Sequence, residues 1–241
     1  MDGTMRLVSL WENLFHVRIS SLVVAGCIVD RGCGLHRSAA AAGNRFPSGD
    51  QCQPGFPPLD GCLGDGFVAF NAIGGENPGT TYAQVAVTNP AISFVADGDD
   101  CTEPFLVSTN VSLAADSEST LLLLNVFAEI EAVLLADDNS APAVGQSRLR
   151  FIHAHPEGPE VDINLSDGTL LVDDMSFRDV SEYIAVDAGE IVLQIRSAAG
   201  DAILRTFATF TAEDGQVVSF FFLNTDDENV SPGVFFVRDV E

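Results

Sequence analysis

The hydrophobic pattern divides the chain into stretches of different texture. From Ile28 to Asp65 no period is sustained and Gly, Pro, Ala and Ser dominate, as in "RSAAAAGNRFPSGDQCQPGFPPLDG". Such a stretch reads as a linker or tether. Beyond it, short apolar or alternating runs rich in Val, Ile, Phe, Leu and Thr are separated by Asp, Asn, Gly and Pro clusters about every ten residues, the pattern of an all-β sandwich or barrel. In the C-terminal part the runs predict strands near 148–154, 160–165, 169–173, 182–186, 190–196, 202–211, 216–224 and 232–238. "RTFATFTA", Arg205 to Ala212, alternates, which predicts one strand with a buried and a wet face. "VVSFFFLN", Val217 to Asn224, does not alternate and suits a central strand covered on both sides, its phenylalanines filling a core or a domain interface.

The pattern also repeats. "AISFVADGDD" (Ala91 to Asp100) aligns with "EIVLQIRSAA" (Glu190 to Ala199), and "STLLLLN" ending at Asn125 aligns with "VSFFFLN" ending at Asn224. Both pairs lie at an offset of 99 residues (Ile92 to Ile191, Asn125 to Asn224). The two tyrosines, Tyr82 and Tyr183, take nearly equivalent places. Setting "GFVAFNA" from Gly66 against "RLRFIHA" from Arg148 leaves the first copy short of about one hairpin, so the two copies are expected to pack together. The organisation read from this is a segment 1–27, a linker 28–65, a shortened first repeat 66–140 and a second repeat 147–241.

Charge narrows the partners. The chain has 35 acidic residues against 11 basic ones, all arginine, and a net charge of -24. A nucleic-acid partner is excluded, because phosphate binding needs a cationic face. Residues 1–60 are neutral, and from Gly61 to Ser147 there is no cation. Such self-repulsion is relieved in molar salt, where the Debye length is about 3 Å. A salt-rich habitat is the reading; simple solubility of an exported acidic protein, or a genome that favours arginine codons, is the plain alternative.

Five cysteines stand at 27, 33, 52, 62 and 101, with no Cys-x-x-Cys spacing for zinc or redox work. "SLVVAGC" has the form of a lipobox, which makes Cys27 the lipidation candidate and 1–27 a signal segment. That fit is loose: Glu12, Asn13, His16 and Arg18 interrupt the apolar stretch, and Ile19 to Gly26 alone is clean. A fortuitous Ala-Gly-Cys is the alternative. Of Cys33, Cys52, Cys62 and Cys101, the last three are close enough for one disulfide in an oxidising compartment. No run of 18 or more apolar residues predicts a spanning helix.

Chemistry concentrates in "RFIHAHPEGPEVDINLSDG", Arg150 to Gly168. Residues two apart on a strand share a face. His153 and His155 could therefore approach one metal ion, with Glu157 or Asp162 completing a tetrahedral set, as a metal-dependent hydrolase would need. Against this, Pro156 starts a turn directly after His155, and the carboxylates lack a defining spacing. The structural alternative makes His153 a strand-end side chain bonding the loop backbone and Asp162 a loop-pinning acceptor. "DGDDCTE", Asp97 to Glu103, has alternate acids as calcium loops do, but lacks the glycine and distal glutamate of an EF-hand. It reads as a hairpin tip in both copies, with a calcium-stabilised adhesin as the functional variant. Asn110, Asn164 and Asn229 begin Asn-x-Ser sequons. There is no Gly-x-Ser-x-Gly and no glycine-rich phosphate loop.

The runs "FIHAHPEGPEVDINLSDG", "DVSEYIAVDAGEIVLQIRSAAGDAIL" and "FTAEDGQVVSFFF" resemble the domain of unknown function 4397 family. The matching positions are His153, Ala154, Pro156, Pro159, Val161, Asp162, Asp167, Gly168, Asp179, Val180, Ser181, Tyr183, Ala188 and Gly189. His155 departs from the pattern, which has serine there. The resemblance is full over 147–238 and weak over 66–140, through the repeat. It implies immunoglobulin-like β-sandwiches, secreted or surface-attached, often in tandem and behind a lipoprotein signal, with no established activity. Together these readings predict an all-β chain of two related immunoglobulin-like repeats. It would be a non-enzymatic, extracellular or envelope-bound interaction or structural module. Its partner would be a surface protein or glycan, with no cofactor, calcium being the alternative, and with membrane contact only through a lipid on Cys27.

Overall fold

A computed structural model describes residues 17–19, 23–24, 59–63, 67–73, 83–85, 91–96, 98–102, 107–114, 117–124, 131–156, 158–200, 202–223 and 233–240. Among these residues every regular element is a strand. A first unit contains β1 (Val17–Ile19), β2 (Val23–Val24), β3 (Leu59–Leu63), β4 (Phe67–Ile73), β5 (Ala83–Val85), β6 (Ala91–Ala96), β7 (Val107–Asn110), β8 (Glu118–Leu124) and β9 (Glu131–Asp137). A second unit contains β10 (Gln146–His153), β11 (Val161–Leu165), β12 (Leu170–Met175), β13 (Ile184–Asp187), β14 (Gly189–Ile191), β15 (Leu193–Ser197), β16 (Ile203–Thr206), β17 (Phe210–Ala212), β18 (Val217–Leu223) and β19 (Gly233–Val240).

The two units share one topology. The first has a sheet β4-β3-β6-β7 and a sheet β9-β8-β1-β5, with β2 continuing beside β8. The second has β12-β11-β15-β16 and β19-β18-β10-β13, plus the ribbon β14-β17. Pairing senses agree as well: β1 lies parallel to β8 as β10 does to β18, and the corresponding remaining pairs are antiparallel.

This inventory differs from the sequence reading at five points, two of them being that the segment 1–27 supplies β1 and β2 to the first unit and that the run 190–196 is two strands, β14 and β15, in different sheets. "LDGCL", placed in the 28–65 linker, is β3 at the centre of a sheet; its length and its Asp-Gly step hide it from a periodicity search. "GFVAFNA" contains β4, which answers to β12 and not to β10, so the hairpin thought absent from the first copy is present. "RTFATFTA" is broken into β16 and β17, because the chain leaves β15 and crosses to β14.

The second unit is a sandwich. Leu149, Phe151, Val218, Phe220 and Phe222 from one sheet meet Val161, Ile163, Leu193 and Ile195 from the other, with Met175, Phe210 and Ala212 closing the core. Phe151 stacks on Phe220 and Phe222 at ring distances of 5.5 and 6.0 Å, and Phe210 meets Phe220 edge-on at 5.2 Å. Strand β18 is covered on both faces, as its unbroken apolar run implies. Its remaining phenylalanine, Phe221, joins Ile152 and Ala154 against Leu122 and Leu124 of β8. The units thus pack back to back through equivalent sheets, Leu122 and Phe221 standing at the 99-residue offset. In the first unit Cys62 on β3 is bonded to Cys101 beyond β6, with a Cα–Cα distance of 5.8 Å. Cys27, Cys33 and Cys52 lie outside the described residues.

Candidate functional site

The histidine pair sits where β10 ends. His153 is the last residue of that strand and is buried. Its Nε2–H donates to the Pro159 carbonyl at 3.1 Å, and its Nδ1 accepts the His155 backbone N–H at 3.4 Å. The main chain of His153 is held as well, its N–H donating to Asp179 and its carbonyl accepting from Arg178. Burial lowers the imidazole pKa, with the bond to Pro159 opposing, so the ring stays neutral and both nitrogens serve the turn. His155 lies past the strand end, its ring centroid 6.4 Å from that of His153 and tilted by 59°. Both rings line a cleft with Gly158, Pro159, Val161, Ile195, Leu204 and Phe222 whose volume is about 30 Å³, room for one water-sized group. Gly158 is required there, since a Cβ would lie 2.8 Å from Cγ of His155.

The carboxylates singled out with the histidines go elsewhere. Asp162 faces away from the core on β11 and accepts the Asp174 N–H at 2.9 Å, which pins the irregular pairing of β11 with β12. Asp174 has a φ of 50° there, a conformation that Asp tolerates. Glu160 accepts from the Ser176 hydroxyl, and Glu157 lies outside the described residues. Asp162, Asp173 and Asp174 bring carboxylate oxygens within 4.8 Å of one another, and the Asp173 charge, with burial and Asp162 adding to it, raises the Asp174 carboxyl. This acidic group was not anticipated in the sequence, because the bulge that gathers it has no local signature. "DGDDCTE" connects β6 to β7, a hairpin tip as expected, with Gly98 N–H donating to Asp60; its Asp97 and Glu103 lie outside the described residues. Asn164 is buried, which closes it to a glycan, and Asn229 lies outside the described residues.

The remaining motif residues are also spent on turns. Asp167 accepts the Thr169 N–H at 2.8 Å, which lowers its pKa, and Gly168 supplies the φ of 95° that closes this hairpin. Asp179 accepts the Ser176 N–H, while the Ser181 hydroxyl accepts from Phe151 and donates to the Glu182 carbonyl. Tyr183 lies under two guanidinium groups, those of Arg148 and Arg150, at 4.8 and 4.7 Å from its ring.

Arg150 belongs to a buried polar group between the units that the sequence did not reveal. Its side chain is 2% exposed and pairs at 2.8 Å with Asp137 of β9, itself fully buried. Arg150 also donates from Nε and a terminal nitrogen to the Ser219 hydroxyl, and Ser219 donates to Asp239 at 2.6 Å. Thr120 donates to Asp137. Burial works against the guanidinium charge, but Asp137, Tyr183 and Asp239 outweigh it and Arg150 stays charged. Burial pushes the Asp239 carboxyl up to about 7, opposed by Ser219 and Arg150 and aided by Asp137 and Glu118. Arg148 reaches Asp138 and Ser140 nearby and holds the Asp138 carboxyl well below the usual range.

Fold and site together define a tandem β-sandwich protein whose polar motif residues brace its loops. Residues 54–164 match the family described as Domain of unknown function (DUF4397), the family that the motifs from His153 to Gly189 resemble. The matched stretch runs from just before β3 into β11, so it lies mainly over the copy whose motifs are weaker and stops short of most of the second sandwich. No curated protein matches the chain.

Proposed function

We propose that this is a non-enzymatic, exported β-sandwich protein, an interaction or structural module of the cell envelope suited to salt-rich surroundings. The observation that carries the reading is the His153 ring: with Nε2 on Pro159 and Nδ1 on His155, the strongest chemical motif in the chain is committed to holding a turn. Asp162, Asp167, Gly168, Asp179 and Ser181 likewise brace turns and strand pairings, and a module built on such bracing needs no reactive group. Export is supported by the Cys62–Cys101 bond, because structural disulfides persist in oxidising compartments. A surface protein or glycan is the partner class, since the net charge of -24 repels nucleic acid.

Two measurements test this. Metal analysis of the purified protein and of His155→Ser is expected to show no stoichiometric metal in either; zinc or a similar ion bound one to one and lost in His155→Ser would replace the module with a metal-dependent hydrolase. Intact mass of the native protein addresses its attachment. A diacylated chain beginning at Cys27 supports a lipid anchor, and an unmodified chain retaining residues 17–24 removes that anchor from the reading.

A further inference from the structure

We propose that the first unit is a strand-acceptor module whose slot beside β8 is filled by a detachable segment of the same chain, the one that carries β1 and β2. Three observations converge on it. Strand β8 is buried from Ser119 to Leu124, and it pairs with β9 along its whole length on one side. A strand so enclosed needs backbone partners on its other side too, because buried N–H and C=O groups are paired. Those partners are β1 and β2, parallel to β8 through Arg18↔Glu118, Ile19↔Ser119, Val23↔Leu122 and Val24↔Leu123. The register slips by one residue between the two pairs, Arg18 and Ile19 standing 100 residues before their partners and Val23 and Val24 standing 99 before theirs.

The second unit shows what this strand is. The 99-residue offset carries Glu118 to Val217, and Val217 is paired with Arg148. Arg18 therefore answers to Arg148, Val23 to Ile152 and Val24 to His153. Strands β1 and β2, which fall in the leader-like segment, take the place of the first sandwich strand. Connectivity then separates the two copies. Strand β10 passes into β11 through the short turn 154–160, whereas β2 is followed by residues 25–58 before β3 begins. The longer connection raises the closure entropy that pairing of the first strand must offset, although only logarithmically with length. Strand addition of this kind takes its affinity from main-chain bonds and its register from alternate side chains. Cleavage just before Cys27 would release the same strand and leave the slot to another extended peptide.

The test uses the full chain, folded first and then cut. A site-specific protease sequence is placed at Ala41, the purified protein is cleaved, and gel filtration is run at high salt. The N-terminal fragment is expected to co-elute, and an excess of labelled synthetic peptide of residues 15–26 is expected to displace it. The same peptide carrying Ile19→Pro and Val23→Pro should bind roughly tenfold more weakly or worse, because proline cannot donate to the ladder. Separation of the fragment from a folded remainder, or equal competition by the proline peptide, overturns the proposal. A second measurement covers a protein that resists cleavage. In the Arg18→Cys, Gln84→Cys chain, whose mutated residues are cross-strand partners, oxidation should link peptides 18 and 84 within one molecule. No link, or a link between two molecules, overturns occupation by the chain's own segment, the latter in favour of a second copy.

Discussion

The two units have the same sheet order and different means of consolidation. All five cysteines lie at or before position 101, and the first unit carries the Cys62–Cys101 bond, closing a span of 39 residues. The second unit has no cysteine and stacks Phe151, Phe210, Phe220 and Phe222 instead, where the first unit's β8 offers leucines. One topology is thus reached with a crosslink and a leucine strand or with an aromatic stack and short turns. The arrangement of strands depends on which positions are apolar, and the chemistry that tightens it can be exchanged. The ion pairs where the units meet set acids of the first against cations of the second. Arg148, Arg150 and Arg178, half of the six arginines after residue 60, pair with Asp138, Asp137 and Glu131.

That junction is the first place to break the comparison. Arg150→Leu strands Asp137 and Asp239 without their cation, and the loss should be about 3–5 kcal/mol, read as a fall in the denaturant midpoint. Adding Asp137→Asn and Asp239→Asn should recover most of it; failure to recover would mean that Arg150 acts through its packing on Tyr183. Removing the crosslink with Cys62→Ala and Cys101→Ala should cost about 4 kcal/mol on the loop-entropy scale. Hydrogen exchange should show β3 and β6 losing protection while β11 and β15 keep theirs. Equal loss in both units would make them one cooperative body.

Acid should strengthen the junction. Asp239 has its folded pKa raised to about 7 from an ordinary 3.8, so the folded protein holds an extra proton between those values. Its contribution is complete below about pH 4, declines as pH rises and is gone above about 7, a change of a few kcal/mol. Asp239→Asn should flatten this part of the stability–pH profile; an unchanged slope would remove Asp239 as its source. The turn after β10 should be more forgiving: His155→Ser, beside Gly158, should cost less than about 1 kcal/mol, measured by thermal unfolding. The smallest effect has the opposite sign. Asp174→Asn keeps a residue that accepts a positive φ and relieves repulsion from Asp173, so it should stabilise slightly in dilute buffer and become neutral in molar salt.

Legibility followed the range of the interactions. Six of the eight C-terminal strand runs were readable because each carries its own alternation or apolar run, and β10, β11, β18 and β19 fall where the pattern puts them; the run 190–196 is instead β14 and β15, which go to different sheets. The break in "RTFATFTA" was not readable either, since a strand that changes sheets keeps its alternation. The turn-bracing roles of Asp167, Gly168 and Asp179 are local and follow from residue type. The Arg150 group is the reverse case: Asp137, Ser219 and Asp239 are ordinary residues until four strands bring them together.

By itself the sequence determined an all-β chain, its internal repeat, its acidity and the burial of β18 on both faces, because these depend on composition and on periods of a few residues. The tertiary structure decided that Cys62 pairs with Cys101, that β3 is a strand at all and that β1 and β2 stand in the place of β10. It also decided that three arginines close the junction between two acidic units. Each of these is a pairing between segments about ten to a hundred residues apart, and no local period records a partner at that distance.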